Sequence, residues 1–265
     1  TYLLYVWQEY LPSFSVARLF CCSVSLFFFF SFFPFSFLSS ITHSSQDGPK
    51  ALVVFLNCIF SSFDQTMDKC HCYKVETVMD VYMAVAGAPT EVDNHADLVA
   101  FCACLMIASK EGIRRNIERE LRKVCNESYL KSAQWKIDSL VTAVSNKFDI
   151  HIGINSGPIN AGVCGNLTPR YKLFGDTVNT ASRMESTAPY GVIQASPSAA
   201  NLISPSLFKL TEQPPIPVKG KGEIAPFYVE YIASSIMRQT PPEPVLIFST
   251  SKNDTIETFS SSSSS

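Results

Sequence analysis

Apolar positions recur at helical spacing in two long segments near the middle of the chain, residues 51–64 and residues 95 to about 123. Both segments are therefore predicted to be helices that bury one face. Between them, residues 73–86 alternate apolar and polar side chains and are rich in Val and Met, and the breaker Gly-Ala-Pro follows at residues 87–89. This pattern predicts a β-hairpin that joins the two helices.

The second half of the chain mixes shorter elements of both kinds. Strands are predicted at residues 148–157, 191–195 and 227–232, and helices at residues 176–186 and 197–203. Because helices and strands intermix without a strict βαβ rhythm, the pattern favours an α+β fold with helices packed on a mainly antiparallel sheet.

Residues 170–186, RYKLFGDTVNTASRMES, are typical of a loop that leads into a helix. Asn179 and Arg183 are four residues apart, so a helix places both side chains on one face. Arg offers a planar, permanently charged fork that suits phosphate, and Asn offers a donor and an acceptor beside it. An isolated pair with this spacing is typical of a solvated helix face. Here other motifs accompany the pair.

Three further segments follow a matching order along the chain: residues 73–83 (YKVETVMDVYM), 152–165 (IGINSGPINAGVCG) and 218–222 (VKGKG). Together with residues 170–186 they resemble the class III nucleotide cyclases, and most of all the guanylate cyclase branch. The resemblance spans residues 50 to 232, approximately. It implies the ferredoxin-like class III cyclase fold, which is α+β, with a mainly antiparallel sheet and packed helices.

The resemblance also implies a reaction. In these enzymes the ribose 3′-hydroxyl of a nucleoside triphosphate attacks the α-phosphorus and expels pyrophosphate. Asn179 matches the residue that orients the ribose, and Arg183 matches the residue that stabilises charge on the α-phosphate. Lys219 matches the residue that binds the triphosphate, with Lys221 as the nearby alternative. Alone, the VKGKG segment would be interpreted as a solvated basic turn.

Two positions bear on the choice of base. Glu76 stands where guanylate cyclases carry a Glu that accepts hydrogen bonds from guanine, whereas adenylate cyclases carry Lys there. Lys172 departs from both branches, although an ammonium can donate to guanine O6. These residues favour GTP over ATP. In the rival interpretation, Lys172 pairs with Glu76 and leaves the base unread.

The family grips two divalent ions, Mg²⁺ or Mn²⁺, with two Asp side chains, because hard cations prefer carboxylate oxygen. Asp80 matches the second Asp, although Met79 replaces the glycine that normally precedes it. The first Asp should end an apolar strand of the form Phe-x-Asp-Ile-x-Gly-Phe-Thr before residue 51. We find no such segment before residue 51. A Phe-rich leader occupies its place, and the one acidic residue near its end is Asp47, which matches no part of the motif.

Composition sets limits on the rest of the chain. The net charge of -2 over 265 residues gives no basic excess, so a nucleic-acid partner is not expected. The nine cysteines lie in apolar runs and lack a regular spacing, which favours free thiols in a reducing compartment. Residues 70–72, Cys-His-Cys, lack a second ligand pair and are a weak signal for zinc.

The two ends differ from the middle. Residues 1–46 form a Phe/Ser-rich leader that holds half of the chain's 20 phenylalanines and has no charge from Leu19 to Thr42. Such a run can span a bilayer as a helix, and a non-native leader is the alternative. Residues 47–234 are predicted to be the catalytic domain, truncated at its first strand and with an insertion at about 125–147. Residues 235–265 are predicted to be a disordered tail.

The sequence therefore predicts a metal-dependent guanylate cyclase that converts GTP to 3′,5′-cyclic GMP and pyrophosphate. The alternatives are an adenylate cyclase, or a catalytically impaired cyclase-homology module with a regulatory or dimerisation role. In the family, two domains associate head to tail to complete each site, so a homodimer or a heterodimer is expected. The catalytic domain is expected in the cytoplasm, with or without attachment to a membrane.

Overall fold

The computed structural model describes residues 20–31, 48–78, 81–127, 148–164, 167–218, 220–233 and 236–247. The helices are α1 (Gly48–Lys69), α2 (His95–Glu127), α3 (Asp176–Ser186) and α4 (Pro197–Ala200), with a 3₁₀ turn at Ile236–Arg238. The strands are β1 (Phe20–Ser31), β2 (Tyr73–Val78), β3 (Val81–Ala86), β4 (Ile150–Cys164), β5 (Arg170–Phe174), β6 (Ile193–Ala195), β7 (Phe208–Glu212), β8 (Ile216–Val218), β9 (Gly222–Ile224) and β10 (Phe227–Tyr231).

Within these residues, eight strands form one sheet in the order β2-β3-β1-β4-β6-β10-β7, and β5 also pairs with β4. Neighbouring strands are antiparallel, except that β4 and β6 run parallel. Strands β8 and β9 form a separate hairpin. The α+β architecture with a mainly antiparallel sheet is confirmed.

Helices cover both faces of the sheet. Helices α1 and α2 pack on one face, where Tyr82 and Ala84 of β3 join the larger core. The next residues of the same strand, Met83 and Val85, turn to the other face and join a smaller core with Ala181 of α3. Because β3 is buried on both sides, it is apolar at nearly every position. The sheet thus separates α3 from the α1–α2 pair.

Strand β1 corrects our expectation for the leader. Within the run that we considered as a membrane helix, Phe20–Ser31 form a strand that pairs with β3 on one side and β4 on the other. Backbone pairing on two sides satisfies the strand's amide and carbonyl groups, so a charge-free sequence suits this position. No helix among the described residues has the length and hydropathy needed to cross a membrane.

Three other segments differ from prediction. Residues 170–174 are strand β5 rather than a loop, and β4 continues to Cys164 instead of turning at Gly157, because the two strands pair with each other. Residues 236–247, assigned to a disordered tail, contact the domain, where the amide of Val245 donates to Asn94 Oδ1 at 2.9 Å. The predicted insertion begins as a continuation of α2 to Glu127, and residues 128–147 lie outside the described residues.

Candidate active site

Helix α3 presents a polar pair to solvent and buries its other face. Its buried residues are Thr177, Thr180, Ala181, Met184 and Glu185, whereas Asn179 and Arg183 are exposed. The helix begins after Gly175, whose φ of 133° lies in a region that glycine adopts readily. The structure therefore places Asn179 and Arg183 on one accessible face, as their spacing predicts.

The last turn of α3 lies directly on the sheet. A Cβ atom at Gly153 of β4 would lie 2.0 Å from the amide nitrogen of Glu185, so only glycine permits this approach. On the neighbouring strand, the Gln194 amide donates to the carbonyl of Met184 at 2.9 Å. The Thr187 hydroxyl donates to the carbonyl of Arg183 at 2.8 Å. These contacts fix the backbone on both sides of the Arg183 side chain.

The first turn of α3 is held by a buried amide. Asn155 of β4 donates from Nδ2 to the carbonyl of Thr177 at 2.9 Å, and its Oδ1 accepts from the hydroxyls of Ser196 and Ser198. The Thr177 hydroxyl donates to the carbonyl of Pro158 at 2.6 Å. Sequence reasoning did not single out Asn155, although a polar residue within the otherwise apolar IGIN segment was an available signal.

An ion pair joins the β8–β9 hairpin to α3. Lys221 follows a turn that contains Gly220, and its ammonium pairs with the carboxylate of Asp176 in the first turn of the helix. A cavity of about 350 Å³ lies beside this pair, lined by polar side chains that include Asn155 and Thr180. Lys221, our alternative for the triphosphate, therefore lies at the helix that carries the Asn-Arg pair. Lys219, the first choice, lies outside the described residues.

The two residues predicted to read the base contact each other. Lys172 of β5 and Glu76 of β2 form an ion pair, with side chains about one third and one quarter exposed. The rings of Tyr73 and Tyr171 pack edge to face nearby, with centroids 5.7 Å apart. The pairing that the rival interpretation required is therefore present.

A second polar network ties β2 and β3 to α1. Asp64 of α1 accepts from the Tyr82 hydroxyl at 2.6 Å and from the Lys74 ammonium at 2.8 Å. Burial and the hydrogen bond to Asp64 raise the pKa of Tyr82 well above its usual range, so this phenol stays protonated. The network anchors the hairpin that carries Glu76 and, in sequence, Asp80.

The described residues carry neither of the two carboxylates that the resemblance implies for metal binding. Strand β1 reaches the edge of this hairpin, where Phe30 pairs with Val81, and Ser31 follows. Strand β1 contains no Asp or Glu, and Asp80 with Met79 lies outside the described residues. Within those residues, no group of three His, Cys, Asp or Glu side chains is placed to hold a metal ion. The strand that we judged missing is present, but without its carboxylate.

A family model for the adenylate and guanylate cyclase catalytic domain matches residues 23–231, which include most of β1 and extend through β10. The chain belongs to the adenylate and guanylate cyclase catalytic-domain family. This cyclase domain is 36% identical to the human protein "guanylate cyclase soluble subunit beta-2" over 182 residues, 68% of this chain and 25% of the relative. The domain therefore spans about a quarter of that relative's length.

Solved structures agree. The cyclase domain resembles the guanylate cyclase domain of RhGC from Catenaria anguillulae in complex with GTP, with 33% identity, a TM-score of 0.61 and coverage of 79% of this chain and 97% of that chain. It also resembles the non-canonical dimeric guanylyl cyclase domain of the RhoGC fusion protein from Blastocladiella emersonii, with 28% identity, a TM-score of 0.58 and coverage of 81% of this chain and 99% of that chain. The resemblance found in the sequence motifs is confirmed.

Proposed function

We propose that this chain is the catalytic domain of a guanylate cyclase and contributes the Asn179–Arg183 half of a composite site in a dimer. The observation that carries the proposal is the exposed Asn179–Arg183 face of α3, with Lys221 held at the first turn of the same helix. The likeness to guanylate cyclases, one of them solved with GTP, supports GTP as the substrate.

In the proposed reaction, a bond forms between the ribose 3′-oxygen and the α-phosphorus of GTP. The bond from the α-phosphorus to the bridging oxygen breaks, pyrophosphate leaves with that electron pair, and the hydroxyl proton passes to solvent. Arg183 would stabilise negative charge on the α-phosphate, and Asn179 would orient the ribose. Lys221, together with Lys219, would neutralise the triphosphate. Each of these roles needs a side chain that a bound nucleotide can reach. The side chains of Asn179 and Arg183 are exposed and meet this requirement.

For the base, Glu76 would accept from the N1–H and N2–H groups of guanine, and Lys172 would donate to O6. Their ion pair holds an acceptor and a donor side by side, which supports reading of a purine edge. Adenine also offers a donor next to an acceptor on that edge. The ion pair therefore keeps adenylate cyclase as the alternative activity.

Cyclase domains depend on divalent metal, and we propose Mg²⁺ or Mn²⁺ here. The residues of this chain do not fit coordination of a metal ion by two Asp side chains. Strand β1 carries Phe30 and Ser31 next to Val81 and has no carboxylate. Asp80 is the acidic residue that the motif retains. We therefore assign to this chain no catalytic step that passes through a metal ion.

The unequal halves favour a heterodimer over a homodimer. A partner cyclase domain with both metal carboxylates would supply the metal-binding half, and this chain would supply Asn179 and Arg183. The resemblance to a cyclase domain solved as a non-canonical dimer supports the association of two such domains, and the head-to-tail arrangement is what the family resemblance implies. A homodimer that relies on Asp80 alone is the competing arrangement.

A second candidate function is a cyclase-homology module that dimerises and regulates a partner without contributing to catalysis. The lack of an Asp or Glu on β1 favours it. It differs from the first proposal in one respect, because it requires no catalytic contribution from Arg183.

We further propose that the catalytic domain begins with β1 and extends through β10. The resemblance to a protein named as a soluble subunit supports a cytoplasmic location for this domain. Attachment to a membrane through other parts of a longer protein is the alternative location.

The test is to mix the purified chain with a guanylate cyclase domain that holds both metal carboxylates, add Mn²⁺ with GTP or ATP, and separate the products by chromatography. Cyclic GMP above the level that the partner makes alone would support the proposal. Cyclic AMP alone would support the adenylate cyclase alternative. Association of the two domains without extra product would support the regulatory module.

A further inference from the structure

A buried glutamine lies beneath the last turn of α3 and contacts it at two points. Gln194 of β6 is 2% exposed. Its Nε2 atom donates to the carbonyl of Met184 at 2.9 Å and to the hydroxyl of Thr187 at 2.7 Å. The Thr187 hydroxyl in turn donates to the carbonyl of Arg183 at 2.8 Å. These hydrogen bonds form a link, the Gln194–Thr187 link, from the sheet to the backbone of Arg183.

The direction of each hydrogen bond in the link follows from simple chemistry. A backbone carbonyl can only accept, so the side-chain nitrogen of Gln194, which is a donor, must be the atom that faces Met184. The second hydrogen on that nitrogen is available to the Thr187 oxygen. The hydroxyl hydrogen of Thr187 then donates onward, and the carbonyl oxygen of Arg183 at 2.8 Å is nearer than that of Met184 at 3.5 Å. The link therefore runs from Gln194 through Thr187 to Arg183.

The link serves carbonyl groups at the end of the helix. The last four carbonyls of a helix lack an amide donor in a following turn. In a longer helix the Ala188 amide would donate to Met184, but here it donates to the carbonyl of Glu185 at 3.0 Å. Gln194 supplies a donor to Met184 instead. A side chain from the sheet thus completes the hydrogen bonding of the last turn.

Gln194 starts the link from the packed interior of the sheet. Strand β6 lies between β4 and β10, and Gln194 pairs with Gly153 of β4. Gly153 is the residue that lets the amide of Glu185 approach the strand. The other residues of β6 are buried as well. The link therefore connects a buried strand to the turn from which the exposed Arg183 side chain projects.

We infer that Gln194 and Thr187 are positioning residues, and that their link holds the backbone that carries Arg183. This inference rests on the role proposed for Arg183. A displacement of about 1 Å in a group that stabilises the transition state can cost a large part of the rate. Helix ends fray readily, and Arg183 lies in the last turn of its helix. The link opposes fraying at the turn where the position of the guanidinium matters.

Ser186 offers a matched control. Its hydroxyl also donates to the carbonyl of Arg183, at 3.3 Å. Ser186 belongs to α3, so its contact does not connect the helix to the sheet. Thr187→Val and Ser186→Ala therefore each remove one hydroxyl donor from the same carbonyl, and only the first breaks the link. Both side chains are exposed, so neither change disturbs the core.

The first test is amide hydrogen exchange in the purified chain, followed by NMR. Thr187→Val should speed exchange of the amides of residues 187 and 188 at least about tenfold, because the last turn would open more often. Gln194→Met keeps the approximate size of the side chain, removes its donors and should speed the same amides. Ser186→Ala should leave their exchange unchanged. Equal exchange in Thr187→Val and Ser186→Ala would overturn the inference.

A double variant tests whether the two residues act as one unit. Once Gln194→Met has broken the connection to the sheet, Thr187→Val should speed exchange at these amides no further. Two independent contributions would instead multiply, and a multiplied effect would contradict the link. These measurements use no nucleotide, so their outcome does not depend on the proposed function.

Activity with a metal-competent partner domain gives a readout that a purely structural role would not move. Thr187→Val should lower kcat about five- to tenfold and leave KM for GTP unchanged, because the charge that Arg183 stabilises develops in the transition state. Ser186→Ala should match wild type. In an Arg183→Ala background, Thr187→Val should have no further effect, since the group that it positions is gone.

The outcomes separate this inference from the proposed function. An active wild-type mixture in which Thr187→Val leaves kcat unchanged would overturn the inference, because the link would then support the helix without positioning Arg183. A wild-type mixture that forms no product would count against the proposed function, and the exchange rates would then decide whether the link holds the Arg183 backbone.

Discussion

Helix α3 and the end of strand β1 are the two places where we propose the halves of a cyclase site, and they differ in the side chains that they carry. On α3, the Asn179–Arg183 face is exposed, and the helix is held by contacts from two strands, β4 and β6. At the end of β1, the strand keeps its place between β3 and β4 but carries Phe30 and Ser31 where a carboxylate is expected.

The difference shows that a strand can keep its place in the fold without the side chain that metal binding requires. Backbone pairing holds β1 in the sheet, and any apolar sequence can supply it. Metal binding needs a particular side chain at the strand's end, and nothing in the backbone pairing preserves it. A match to the cyclase fold at this strand is therefore weak support for a metal site. The exposed Asn179 and Arg183 side chains of α3 are stronger support for phosphate binding, because they are themselves the groups that would contact the substrate.

The largest expected effect is on the intact half. In a dimer with a metal-competent partner, Arg183→Ala should lower cyclic GMP formation by about 10²- to 10³-fold, because the charge on the α-phosphate would lose its main partner. Arg170→Ala, at the exposed start of β5, should leave the rate unchanged. Equal rates for Arg183→Ala and wild type would place the catalytic Arg elsewhere.

The close contact between β4 and the last turn of α3 makes the stability of the fold sensitive to a single methyl group at residue 153. Gly153→Ala should destabilise the fold by about 2 to 3 kcal/mol, because its Cβ would overlap the helix backbone at Glu185. Gly112→Ala, at a helix position with no atom within 4 Å of the added Cβ, should instead stabilise by about 0.5 to 1 kcal/mol. Chemical denaturation measures both changes. An unchanged free energy of unfolding in Gly153→Ala would mean that α3 does not pack against β4 as described.

Sequence reasoning predicted helix α3 and the shared face of Asn179 and Arg183 well, because a four-residue spacing within one helix is enough to place them. It misjudged β1, because a charge-free apolar run suits a buried strand and a membrane helix equally. It also missed the support from Asn155, which depends on how β4 and α4 meet in the fold. Contacts between distant segments are set by packing, and one sequence without relatives does not reveal them.

Adding a carboxylate at the end of β1 tests whether its absence there limits the activity of the chain. Phe30→Asp or Ser31→Asp, made separately, would place an acidic group at the end of β1 beside Val81. One of the two should raise Mn²⁺-dependent cyclic GMP formation by the chain alone at least about tenfold, since alternate strand residues face opposite sides of the sheet. Phe20→Asp, at the other end of β1, is the control. No gain from either variant would place the defect elsewhere.

The smallest expected effect concerns base choice, measured in whichever restored variant is active. Glu76→Lys should shift the ratio of GTP to ATP turnover toward ATP by about tenfold, because the acceptor for the guanine donors is lost. The double variant Glu76→Lys with Lys172→Glu keeps an ion pair and controls for repulsion between two ammonium groups. Unchanged selectivity in both variants would mean that the Lys172–Glu76 pair does not read the base.

The central claim is that α3 of this chain can complete a site whose metal half comes from elsewhere. The direct measurement mixes the chain with a cyclase domain that keeps both metal carboxylates but has alanine in place of the Asn and Arg of its own signature helix. We predict that with Mn²⁺ each protein alone forms little cyclic GMP from GTP, that the mixture forms much more, and that Arg183→Ala in this chain lowers the product of the mixture by about 10²- to 10³-fold. A mixture that associates but forms no cyclic GMP would contradict the account.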